Sequence, residues 1–154
     1  MFDYAITFSE MPISKNGSLT FYTGSASGKC KYGCKGCSWG ENKPKGREIS
    51  IEECNTIFKN KRKYTDCVTF LGEGEDIEGL IKVIELAKKY LYKVCLYTGG
   101  ELENIDNRVI LLLDYIKVGR WTGKTLMDKD TNQHLYELKD GKIIKEYHFY
   151  EINK

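Results

Sequence analysis

From Ser50 to Gly119 the chain alternates between helix-patterned and strand-patterned stretches at the spacing of a βα unit. No other feature restricts the fold as much. Ser50-Ile51-Glu52-Glu53 has the form of a capping box, in which hydroxyl and carboxylate satisfy each other's orphan N–H groups. Ile51, Cys54, Ile57 and Phe58 then fall on one helical face. Cys67-Val68-Thr69-Phe70-Leu71 reads as a buried strand and ends in Gly72-Glu73-Gly74-Glu75-Asp76. Asp76 is placed to cap a second helix, whose apolar face is Ile77, Leu80, Ile81, Ile84, Ala87 and Leu91. Residues 94–98 form the next strand, closed by Gly99-Gly100. A short helix over 107–113 and a strand over 115–118 complete the series.

Upstream, residues 4–8 and 18–23 are rich in β-branched and aromatic types and read as strands. Residues 24–47 form a long loop of Gly, Ser and Lys, and a loop of that length inside a compact domain usually has a function. Alternating strands and helices imply βαβ units and a parallel sheet, in which ligands bind beyond the carboxyl ends of the strands. The long loop, the Gly72–Asp76 stretch, Thr98-Gly99-Gly100 and Gly119 each come after a strand, so all four belong on one rim. Asp140-Gly141 is a hairpin signal between residues 135–138 and 143–147. The expected organisation is a single α/β domain over 1–154, with a core of about 18–119 and a small hairpin appendage over 120–154.

The balance of 24 basic against 22 acidic residues, net charge +2, gives no charge argument for a nucleic-acid or membrane partner. No apolar run approaches the ~20 residues of a membrane span, and Met1-Phe2-Asp3-Tyr4 lacks the order of a signal peptide. The six cysteines are therefore expected in a reducing cytoplasm, as thiols or metal ligands.

Three of those cysteines lie within the long loop. Cys30, Cys34 and Cys37 are spaced C-x3-C-x2-C. Three thiolates on one short loop can hold three corners of a cubane iron–sulfur cluster. Full protein ligation of a [4Fe–4S] cluster takes four, so three leave one iron open to a ligand or substrate.

This motif, with a glycine-and-acid turn one βα unit later, resembles the radical S-adenosylmethionine enzymes. Within them the chain is similar to the activating enzymes of anaerobic ribonucleoside-triphosphate reductase, over roughly residues 18–139. The resemblance rests on Gly36-Cys37, Phe70-Leu71-Gly72-Glu73-Gly74-Glu75, Leu96-Tyr97-Thr98-Gly99, Asp114-Tyr115-Ile116-Lys117-Val118-Gly119 and Thr131-Asn132-Gln133. It departs at Asn16-Gly17-Ser18-Leu19-Thr20, which keeps only the first pair of the family's Asn-Gly-x-Gly-x-Arg opening.

The resemblance implies a partial parallel (βα) barrel and a [4Fe–4S] cluster on Cys30, Cys34 and Cys37. It also implies reductive cleavage of S-adenosylmethionine to a 5′-deoxyadenosyl radical. Cofactor contacts would come from Gly36, Cys37, Ser38, Gly72, Glu73, Gly74, Glu75 and Thr98, with either Glu73 or Glu75 holding the methionine amino group. No catalytic residue beyond the cluster ligands is implied. The implied partners are a large glycyl-radical reductase subunit as protein substrate and a flavodoxin-like electron donor.

Other readings of the same residues stand beside this one. The target could be a different glycyl-radical enzyme. The chain could instead be a non-catalytic iron–sulfur or zinc module, with Cys54 or Cys67 as a fourth zinc ligand. Cys54 on a helix face, and Cys67 and Cys95 within strands, read as inert core thiols. Lys29, Lys31 and Lys35 either depress thiolate pKa values or keep the loop solvated. Trp39 shields the cluster, stacks on adenine or simply packs. His134 and His148 read as surface residues of the hairpin.

Overall fold

The computed structural model describes residues 2–4, 6–9, 17–23, 47–73, 76–120, 122, 126 and 128–148. In chain order the strands are β1 (Phe2–Tyr4), β2 (Ile6–Ser9), β3 (Ser18–Tyr22), β4 (Arg47–Ile49), β5 (Cys67–Leu71), β6 (Lys93–Tyr97), β7 (Tyr115–Val118), β8 (His134–Lys139) and β9 (Lys142–Tyr147). The helices are α1 (Ile51–Lys61), α2 (Ile77–Lys89) and the single turn α3 (Asn107–Ile110). A 3₁₀ turn at Leu102–Asn104 precedes α3.

The two longer helices begin where their caps place them. Ser50 Oγ accepts from Glu53 N at 3.1 Å, and Asp76 Oδ1 accepts from Gly79 N at 2.9 Å. The hydrogen bond from the Gly79 N–H holds the Asp76 carboxyl below the usual carboxylate range. The third helix is shorter than the expected 107–113. Leu112 N bonds Val109 O at 3.0 Å and Leu113 N bonds Ile110 O at 3.3 Å, so the chain tightens into i→i+3 turns. Asp114 N must reach Val94 O to open β7.

Seven strands form one sheet in the order β2-β3-β5-β6-β7-β8-β9. β3, β5, β6 and β7 are parallel, while β2 pairs antiparallel with β3, β8 with β7 and β9 with β8. Each crossover from β3 to β7 moves one place in the same direction. With right-handed connections, such an order lays every helix on one face. The core agrees: Leu19, Phe21, Val68, Phe70, Val94, Leu96, Ile116 and Val118 form one cluster with Cys54 and Phe58 of α1, Leu80 and Ile84 of α2, and Val109 of α3.

Rings run through this layer. Phe21 lies 5.3 Å from Phe70 and 5.7 Å from Phe58, and Phe58 lies 5.4 Å from Tyr92. Such pairs add about 0.5–1.5 kcal/mol beyond burial. The Tyr92 hydroxyl, which burial would otherwise strand, donates to Phe58 O at 2.6 Å.

The other face of the same strands differs. Ser18, Thr20, Cys67, Thr69, Cys95, Tyr97 and Lys117 occupy it by alternation, and all but Tyr97 and Lys117 are buried. Tyr22, Leu71 and Tyr115 share that face, and Cys67 and Cys95 pack there with Leu135, so one face is wholly apolar and the other mixes hydroxyls with an apolar cluster.

Three expectations change. The strand over 4–8 is two strands serving two sheets, since β1 pairs β4 and β2 pairs β3. The long loop ends earlier than 47, because Arg47–Ile49 is paired and Ile49 is buried. The hairpin is not an appendage: β8 pairs antiparallel with β7, Tyr115 facing Glu137, and extends the sheet. Its turn has positive φ at Asp140 (53°) and Gly141 (80°), as a two-residue I′ turn requires.

Gly119 connects β7 to the segment that leads into β8. Its φ is +107°, and a Cβ there would sit 2.5 Å from Asn132 O, a backbone atom with no room to yield. Gly119→Ala is expected to cost about 2–3 kcal/mol, read as a lower urea midpoint with an unchanged slope.

Candidate functional site at the carboxyl edge of the parallel strands

Register fixes the rim. Tyr22, Leu71, Tyr97 and Lys117 stand side by side across β3, β5, β6 and β7. Thr23, Gly72, Thr98 and Val118 are each one residue further on, so the turns that the sequence grouped together do share one edge.

Backbone hydrogen bonds tie these turns to one another. Gly72 N donates to Tyr97 O at 2.7 Å, Thr98 N to Lys117 O at 2.9 Å and Gly119 N to Gly100 O at 3.0 Å. Thr98 Oγ1 accepts from Gly100 N at 3.0 Å, which closes its own turn. The expected cofactor residue Thr98 is therefore on the rim, buried, with its oxygen engaged in shaping the loop.

Gly72 and Glu73 are on the same edge. Gly72 has φ +93°, and nothing lies within 4 Å of the position a Cβ would take. Glycine at that φ is unstrained, and the space above it is open to a ligand. Glu73 is 3% exposed, a carboxylate drawn into the rim rather than left on a solvated loop. Cys30, Cys34, Gly36, Cys37, Ser38, Gly74 and Glu75 lie outside the described residues, as do Lys29, Lys31, Lys35 and Trp39.

Two features of the edge have no counterpart among the site residues expected from sequence. Thr23 is 2% exposed and its hydroxyl has no hydrogen-bond partner. Lys117 Nζ stands 4.7 Å from the centre of the Tyr97 ring and 3.4 Å from Gln133 Oε1. Burial pushes the Tyr97 hydroxyl well above its ordinary range.

The stretch Thr131–Gln133 folds back to the same end of the sheet. Asn132 Nδ2 donates to Arg120 O at 2.9 Å, and Gln133 N to Thr131 Oγ1 at 3.0 Å. Two segments singled out separately in the sequence, around Gly119 and around Asn132, are thus in contact.

The other three cysteines lie elsewhere. Cys54 sits in the helical layer, and burial raises its thiol to about 12. Cys67 opens β5 at the edge opposite the rim, about 13 Å away at the rise of an extended chain. Burial raises its thiol to about 12 as well, and drives the Cys95 thiol up too. Burial thus disfavours the thiolate, the form that ligates metal, at all three in the metal-free chain. Among the described residues no three His, Cys, Asp or Glu side chains converge on a metal position.

His134 and His148 lie on the hairpin and share Glu146: His134 Nδ1 is 2.7 Å from Oε1 and His148 Nε2 is 3.3 Å from Oε2. No helix among the described residues is long and apolar enough to cross a membrane. No family model matches the chain, and neither a curated protein nor a solved structure matches it.

Proposed function

We propose that this chain is a radical S-adenosylmethionine enzyme that installs a glycyl radical on an anaerobic ribonucleoside-triphosphate reductase. The observation that carries the reading is the shared edge. The stretch holding Cys30, Cys34 and Cys37 begins just beyond β3, and β5 next to it ends in an open glycine cradle and then a buried carboxylate. The parallel strands β3, β5, β6 and β7 with their helices on one side support a partial (βα) barrel.

Cys30, Cys34 and Cys37 would hold three irons of a [4Fe–4S] cluster and leave the fourth for S-adenosylmethionine. The chemistry supplied by such a cluster is transfer of one electron to the sulfonium, which splits the sulfur–C5′ bond into methionine and a 5′-deoxyadenosyl radical. That radical would take the α-hydrogen of a backbone glycine on the reductase subunit, giving 5′-deoxyadenosine and a stored glycyl radical.

This chain's residues bind and orient the cofactor. Gly72 leaves room for it and Glu73 accepts from its ammonium group. The electron comes from a separate flavodoxin-like donor, and the setting is a reducing cytoplasm. No nucleic acid or membrane is involved.

The test is anaerobic reconstitution, reduction in the presence of S-adenosylmethionine and assay for 5′-deoxyadenosine. A zinc or purely structural iron–sulfur module would give none. Electron paramagnetic resonance of the added reductase then reports the glycyl radical. Glu73→Gln is expected to keep the cluster and weaken S-adenosylmethionine binding at least tenfold. A hydrogen bond between a carboxylate and an ammonium is worth about 1.5–3 kcal/mol. Calorimetry showing equal affinity would shift that role to Glu75.

A further inference from the structure

Thr23 is the first residue beyond β3 and stands beside Gly72, because Tyr22 pairs with Leu71. Its hydroxyl is buried without a hydrogen-bond partner. Folded proteins leave few buried hydroxyls unsatisfied, and each exception needs a reason. The neighbouring Gly72 provides a second, independent observation: open space above a backbone held at φ +93°. One strand end presents an unsatisfied polar group and the adjacent one leaves volume. Both lie on the edge where parallel sheets bind ligands. The hydroxyl two strands further along, that of Thr98, already accepts from Gly100 N.

We propose that the Thr23 hydroxyl is a ligand-binding group, which hydrogen-bonds the zwitterionic amino-acid end of the molecule seated over Gly72. A hydroxyl both donates and accepts, so it can serve the α-carboxylate or the α-ammonium. The identity of that molecule as S-adenosylmethionine rests on the function proposed above. The hydroxyl therefore belongs to the site and not to the fold, and it is satisfied when the ligand is bound.

Thr23→Val keeps the shape and removes the hydroxyl, while Thr23→Ser keeps the hydroxyl. Each full-length variant is reconstituted anaerobically, melted without S-adenosylmethionine and titrated with it by calorimetry. Thr23→Val is expected to melt no lower than the parent and to bind about tenfold more weakly. Thr23→Ser should bind within about threefold of the parent, since it keeps the group that makes the bond.

Equal binding by parent and Thr23→Val would overturn the inference and leave the proposed function standing. A melting temperature for Thr23→Val several degrees below the parent's would also overturn it, since the hydroxyl would then have a structural partner. Absence of S-adenosylmethionine binding by the reconstituted parent would overturn both the function and the inference.

Discussion

Replacing Cys30, Cys34 or Cys37 by alanine is expected to remove the cluster outright. Iron should fall from about four per chain, the content of one cubane, to near zero, and the visible absorbance should go with it. Alanine at Cys54, Cys67 or Cys95 is expected to leave iron per folded chain unchanged. Position and protonation make the difference. Cys54 is fully buried in the helical layer with Phe58, and its thiol is raised to about 12. Cys67 lies at the opposite edge of the sheet from the rim. Cys95 is fully buried on β6 against Cys67 and Leu135. Burial disfavours the thiolate at all three, and none lies on the rim where the loop of Cys30, Cys34 and Cys37 begins. These three variants lose packing, so iron is counted per folded chain after gel filtration. A Cys54→Ala protein that stayed folded but lost its iron would overturn the open-iron argument, because a fourth cysteine ligand would leave no vacant position.

Local signals made most of this architecture legible. Cys67–Leu71 and Tyr115–Val118 have the expected bounds, because short β-branched runs between glycines and charges admit few other readings. Ser50 and Asp76 start helices for the reason their side chains suggest. The shared rim was legible too, since parallel strands must end together. Pairing between distant segments was not. Arg47–Ile49 is too short to show a pattern, and its partner, Phe2–Tyr4, lies more than forty residues away in sequence. The hydroxyls buried on the far face were concealed because Thr20 and Thr69 count as strand formers while carrying polar atoms to the side opposite the helices. Thr23 gave no signal, because its burial and unsatisfied hydroxyl exist only once β3 lies beside β5.

A chain ending at Gly119 is expected to lose its fold, not merely an appendage. The hairpin had the look of an addition to a finished core, yet β8 contributes four residue pairs to β7, from Tyr115–Glu137 to Val118–His134. Leu135 is fully buried with Cys67 and Cys95, and Leu138 is 4% exposed on the helical side with Ile116. Burying two leucines is worth about 3–6 kcal/mol, against a total stability of about 5–15 kcal/mol for a domain. Truncation would also strip the β8 backbone partners from β7 and leave its edge open to pairing with another chain. Gly119 would lose Asn132, the neighbour against which its turn is packed. Circular dichroism and urea unfolding of the 1–119 chain should show no cooperative transition. A cooperative transition near that of the full chain would mean that the parallel strands and helices are self-sufficient. Any part that residues 120–136 play in binding the reductase must then be read in the full chain, from substitutions at exposed positions such as Lys129 and Asp130. Charge reversal there leaves the sheet intact, so a fall in glycyl-radical yield without a fall in S-adenosylmethionine cleavage would report docking alone.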